Sequence, residues 1–353
     1  GPILGPVLGG WLTDSYNWRW VFLVNLPVGI LCFFLMLQFL PTTERHKRRF
    51  DKFGFAMLAI ALAALQMFLD RGHQKDWFDS WEIIIEAGLA VGAFWMFVVH
   101  TVTAKQPLFE REIFSDRNFA TSLVFMVITG VLLLAGLALL PPLLQNLYGY
   151  SVLQSGYLTA PRGVGTLISM LLAGRLVGKV DSRVLVGIGV ILMGVSLWMM
   201  TGFAIDQPSR PVIVSGVVQG LGLGLIFVPL QTLAFVTLSV RHRTTGASLL
   251  NLARNVGGSV GISIVSVQLA RMAQVAHADM ASHITDSMIP TLDPNVLHAF
   301  GNQATAVAAY INAEITRQAL FIAYLDDFKL MMWVTFLVLP LLLLMRNSKT
   351  AAR

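Results

Sequence analysis

Charge is scarce in this chain. Only 12% of its 353 residues are Asp, Glu, Lys or Arg, about half the share of a soluble domain. A soluble protein of this length would bury a large core and still need a charged surface, and there is too little charge to make one. Cysteine is almost absent: the single Cys32 lies inside an apolar run, which excludes a disulfide framework and a Cys-based metal site. The seven histidines show no ligand spacing, and neither a metal nor a cofactor is expected. No Gly-x-x-x-x-Gly-Lys-Ser/Thr loop occurs, which counts against a nucleotide-driven pump. A membrane-embedded enzyme or receptor stays as the rival of a different class, and no His/Asp cluster or nucleophile motif supports it. What is abundant is apolar: 56% of residues are hydrophobic and the mean hydropathy is +0.70.

These residues fall into runs long enough to span a bilayer, which takes about 20 mostly apolar residues. The pattern predicts an all-α polytopic membrane protein with about ten spans. They lie near 1–14, 20–40, 53–70, 82–103, 119–141, 155–177, 184–204, 211–237, 246–269 and 326–345. The first is short. The longest non-spanning region is about 270–325, within which Asn302–Leu320 has a helical pattern. Phe109–Asn118 reads as an interfacial connector helix.

The net charge of +6 raises nucleic acid as a partner, but the basic residues sit in short loops between apolar runs and not on one amphipathic face. Placing the loop 41–52 in the cytoplasm puts sixteen of the 25 Lys and Arg inside and seven outside, with Arg162 and Arg254 within spans. That asymmetry is the positive-inside pattern. The partner it implies is a lipid bilayer.

The opening residues are the most distinctive. Gly1, Gly5 and Gly9 recur every four residues and stack on one helix face, where a second backbone can approach. Pro2 and Pro6 form an adjoining stripe, with Gly10 beside it, and each proline removes an N–H from the helix. A related ladder, Gly216, Gly220 and Gly224, occupies the eighth span, and Gly257, Gly258 and Gly261 echo it in the ninth. Such internal repetition is expected of transporters built from structural repeats.

The opening segment resembles the antiporter motif of the major facilitator superfamily, Gly-Pro-x-x-Gly-Gly on the fifth helix of drug:proton exporters. Trp18-Arg19-Trp20-Val21-Phe22 followed by Asn25-Leu26-Pro27-Val28-Gly29 resembles a signature of the 14-helix EmrB/QacA-type antiporters. Leu69-Asp70-Arg71-Gly72, Ser115-Asp116-Arg117-Asn118-Phe119 and Leu144-Gln145-Asn146-Leu147-Tyr148 are similar to the same branch.

The resemblance implies a division into the last two helices of a first bundle (1–40), a basic loop with two inserted helices and a connector (41–118), and a complete second six-helix bundle (119–353). Four earlier helices, carrying the proton-coupling acid, would precede Gly1. It further implies proton-driven export of amphipathic drugs from the bacterial inner membrane, with a periplasmic adaptor and an outer-membrane channel as partners. An exporter of one endogenous metabolite, such as a siderophore, fatty acid or antibiotic, is the alternative on the same fold.

Candidate residues follow from both readings. Gly174, Arg175, Lys179, Asp181 and Arg183 echo the family's cytoplasmic gate loop, and Val218-Gln219-Gly220 echoes a fourth-helix motif without its Arg. A cation within a span costs at least about 2.5–3.5 kcal/mol on insertion scales, so Arg254 should find a partner, a cavity or the interface. Arg162 lies nearer a span end and is either an interfacial anchor or a cavity residue. Asn25, Gln219, Gln231 and Asn251 are polar groups able to bond substrate or neighbouring helices. Glu82 and Glu86 share a face of an inserted helix and read as interfacial carboxylates.

Overall fold

The computed structural model describes residues 4–39, 50–72, 75, 77–283 and 304–345. Among these the chain is helical, apart from one isolated bridge between Val177 and Val180. The first span is α1 (Leu4–Ser15), and the second is two pieces, α2 (Arg19–Leu23) and α3 (Asn25–Phe39). A helical hairpin follows, α4 (Lys52–Gly72) and α5 (Trp81–Thr103), then the connector α6 (Arg111–Ser115). Six long helices complete the chain: α7 (Arg117–Pro142), α8 (Val152–Leu176), α9 (Ser182–Thr201), α10 (Arg210–Val236), α11 (Arg243–Ser282) and α12 (Ala304–Leu337).

Each predicted span coincides with a helix. Among the described residues, eight segments are long and apolar enough to cross a membrane. The two others are α1, which has 12 residues, and α8, whose sequence is diluted by Gly, Ser, Thr and two Arg.

Local chemistry sets the helix ends. Asp116 caps α7 by accepting from Phe119 N at 2.9 Å. Ser151 and Gln154 form a reciprocal capping box on α8, satisfying two N–H groups that the helix leaves free. Asp181 caps α9, accepting from Arg183 N at 3.0 Å. Pro141 and Pro142 close α7, and a π-turn over Leu143–Leu147 follows.

Glycines set how closely the helices pack. A Cβ on Gly220 or Gly224 of α10 would collide with α8 at Arg162 and Thr166 or at Ser169 and Met170. On Gly257 and Gly261 of α11 it would meet α7 at Val127 and Val131. The second-half ladders are therefore close-packing seams, as the small-residue rule anticipates. Apolar cores lie at both ends of the bundle, one around Leu143, Met193, Leu197 and Phe328, the other around Phe119, Phe125, Ile226 and Leu230. By contrast, no residue in the 18-residue apolar window of Arg19–Phe39 is buried.

The region 270–325 needs revision. Instead of a long loop, α11 runs on to Ser282 and α12 already begins at Ala304. The two extensions are tied by a 3.1 Å contact between His277 Nε2 and Asn312 Oδ1. The helix that carries the last span therefore begins well before 326 and is longer than a bilayer crossing needs. Residues 284–303 lie outside the described residues.

Three of the connections predicted to share one side, around 51, 104–118 and 237–243, gather at one end. Thr237 Oγ1 donates to Asp116 Oδ1 at 2.8 Å, and Arg241 pairs with Glu110 at 3.1 Å. Asp51 accepts from Gly54 N at 2.9 Å and Leu108 N at 3.0 Å and pairs with His100. Residues 45–49 of the basic loop lie outside the described residues.

Candidate functional site

The antiporter-like opening helix packs on α8, and the joint borders a cavity. A Cβ on Gly10 would lie 3.0 Å from both Val152 O and Leu153 Cα, and Asp14 Oδ2 accepts from Leu153 N at 2.9 Å. The ladder itself does not make this approach: a Cβ added to Gly5 or Gly9 would meet no described atom within 4 Å. The face carrying them points away from α8, so close packing falls to Gly10, one position off the stripe, and to Gly156 of α8, where a Cβ would collide with Pro6 O. Gly1 and Pro2 lie outside the described residues. Pro6 faces the cavity.

That cavity has a volume of about 550 Å³, within the range of small-molecule sites. It is bounded by Pro6 of α1, Leu133, Gly136 and Leu140 of α7, Thr159 and Arg162 of α8, and Leu223 and Phe227 of α10. A larger groove, about 770 Å³, opens at the basic end between Phe50, Asp51 and the connector. Its walls are charged loops and not spans, and it gathers none of the predicted membrane residues.

Arg162 is the charged residue of the inner cavity. Its side chain is buried, with the residue 8% exposed, and Nη2 has no hydrogen-bond partner among the described residues. Gly220 seats α10 against the Arg162 carbonyl, which also accepts from Thr166 Oγ1 at 2.9 Å. The missing side chain at Gly136 lets polar tips from two helices converge. A Cβ there would lie 3.7 Å from Gln219 Nε2, 3.8 Å from Arg162 Nη1 and 3.9 Å from Met331 Cε. Arg162 thus lines a cavity among the described residues.

Arg254 is close by. Its guanidinium carbon lies 5.7 Å from the centroid of Phe227, a cation–π distance, and Phe227 is part of the cavity wall. Three other candidates do not join them. Asn25 and Asn251 are exposed and donate to their own helices, to Val21 O and Ala247 O, each at 3.1 Å. Gln231 is exposed as well. A polar residue within a span reads the same in sequence whichever way it points, and among the described residues these three are exposed.

The gate-loop residues form a tight turn. Lys179 N and Val180 N both bond Leu176 O, at 3.0 and 2.9 Å, with Gly178 at φ +89°. Asp181 is engaged as the α9 cap, Gly174 has open space around it, and Arg175 and Lys179 are exposed. Glu82 and Glu86 pair with Arg71 at 2.9 Å each, closing the α4–α5 hairpin, with Lys75 also on Glu82.

Two groupings went unread in the sequence. Asp327 of α12 is fully buried, and neither carboxylate oxygen has a hydrogen-bond partner among the described residues. Consecutive acids, Asp326 and Asp327, inside an apolar helix were the available signal. Glu110, Glu112 and His242 bring ligand atoms within 4.8 Å of one another at the basic end. They come together through tertiary folding, at no recognisable spacing.

Apolar helices of spanning length around a cavity with a buried cation define a multi-pass membrane protein of the transporter type. Residues 1–262 match the family model described as Major Facilitator Superfamily, and the chain belongs to that superfamily. It is 32% identical over 331 residues to the multidrug export protein EmrB of Escherichia coli K12, covering 91% of this chain and 64% of that protein. It is 34% identical over 330 residues to the fatty acid resistance protein FarB of Neisseria gonorrhoeae, with the same coverages. The chain thus spans a little under two thirds of these relatives. Among solved structures it is similar to a bacterial homolog of the human lysosomal transporter Spinster, with 15% identity, a TM-score of 0.46, and coverage of 82% of this chain and 67% of that one.

Proposed function

We propose that the protein is a proton-driven exporter of amphipathic drugs in the bacterial inner membrane, working by alternating access with a periplasmic adaptor and an outer-membrane channel. The observation that carries the reading is the apolar cavity between α1 and the α7–α8–α10 face, with Arg162 buried in its wall. The relation to EmrB, a multidrug export protein, supports it. Antiport needs a group that exchanges protons. Besides the acid expected in the preceding helices, we assign a part in that role to Asp327, since a carboxyl removed from water with no donor among the described residues is held there at a cost of several kcal/mol. Membrane-embedded acids of this kind mark proton relays.

The test is accumulation of a panel of anionic, neutral and cationic amphiphilic dyes in cells with and without the protein. Lower accumulation that a protonophore reverses is the expected result; equal accumulation across the whole panel would overturn the reading. Export of one endogenous amphiphile is the second reading. The similarity to FarB, named for fatty acid resistance, favours it. It is recognised by a response to one member of the panel only.

A further inference from the structure

Arg162 is more than a marker of the cavity: we propose that the site takes amphipathic anions, with the carboxylate, sulfonate or phosphate end of the ligand on the Arg162 guanidinium and its apolar body against Leu133, Leu140, Leu223 and Phe227. This names the substrate class of the site argued above and rests on that reading for its place in transport.

Three observations lead here. First, Arg162 is a buried guanidinium whose Nη2 meets no acceptor among the described residues. A buried ion without its counter-charge is costly, and an incoming anion removes that cost. Second, the described side chains lining the cavity include no carboxylate, so none of them competes for the guanidinium. Third, the neighbouring groups are also donors. The Gln219 amide nitrogen faces the same point above Gly136 as Arg162 Nη1, and Arg254 rests on the ring of Phe227. A cation would enter this cavity beside the Arg162 guanidinium, with Arg254 behind the Phe227 wall, while an anion finds a planar fork suited to bidentate pairing.

Equilibrium binding, measured without any proton gradient, separates this proposal from the export reading. The probes are labelled dodecylsulfonate and the equal-length dodecyltrimethylammonium, added to the protein in phosphatidylcholine nanodiscs, with empty discs subtracted. Saturable one-to-one binding of the sulfonate is expected, at least about tenfold tighter than the ammonium. Arg162→Gln should abolish that preference and Arg162→Lys should retain part of it. Should Arg162→Gln fail to fold, the wild-type comparison decides alone. Repeating the measurement in phosphatidylglycerol discs tells a free amphiphile from the bilayer's own anionic headgroups: competition by the lipid or undiminished sulfonate binding both keep the site anionic. Equal or tighter binding of the ammonium, or an undiminished anion preference in a folded Arg162→Gln protein, would overturn the proposal.

Discussion

The carboxylate of Asp14, at the end of α1, accepts a 2.9 Å hydrogen bond from the backbone N–H of Leu153 in the first turn of α8. Ser151 already satisfies Gln154 N in that turn, so one helix supplies a cap to the next across the joint that borders the cavity. Asp14→Ala should lower stability by about 1 kcal/mol, and Asp14→Asn by less. Thermal unfolding in detergent checks this; an unchanged Asp14→Ala protein would show that the bond contributes nothing.

The glycines of α1 divide by contact. Gly10→Leu should force α1 away from Val152 and Leu153, with a loss of about 1–3 kcal/mol. Gly5→Leu, with no described neighbour, should leave the α1–α8 joint intact. Cross-linking efficiency between cysteines placed on α1 and α8 distinguishes them, and equal loss in both variants would contradict the assignment.

How much of this was readable beforehand depended on what each feature needs. Spans need only composition, so each of the ten predicted segments falls on a helix, and eight of the described helices are long and apolar enough to cross a membrane; α1 is too short and α8 is diluted by two arginines and many small residues. The early start of the last helix was not read because Asp326, Asp327 and Lys329 interrupt the apolar run. The fold buries Asp327 completely, and the helix continues back to Ala304. Arg162 and Gln219 were readable as candidate cavity residues, but their meeting was not. The pair comes from α8 and α10 in a register fixed by Gly220 and meets over Gly136 of α7, a three-helix coincidence that no single span encodes.

Arg254 should act through the cavity wall. Arg254→Lys keeps the charge but loses the planar group over Phe227, and transport should fall well below wild type with insertion unaffected. Full transport by Arg254→Ala would reduce the residue to an interfacial anchor.

Acid should loosen the basic end. Burial pushes Asp51 up, but the Gly54 N–H, His100 and the Leu108 N–H together outweigh it and hold the carboxyl below its ordinary range. A depressed carboxyl stabilises the fold fully above its unfolded value, near pH 4, and the contribution fades as pH falls through the folded value. The stability gap between wild type and Asp51→Asn should therefore close on acidification. A gap that widened toward low pH would contradict this.

Transport in acid-inside proteoliposomes tests the central claim most directly, with wild type, Arg162→Gln and Asp327→Asn compared at equal reconstitution. Wild type should accumulate labelled dodecylsulfonate only while the proton gradient stands. Arg162→Gln should lower the initial rate at least about tenfold, and Asp327→Asn should leave binding intact while removing the response to the gradient. Accumulation that ignores the gradient in wild type, or proceeds equally in all three proteins, would contradict a proton-driven exporter working through the Arg162 cavity.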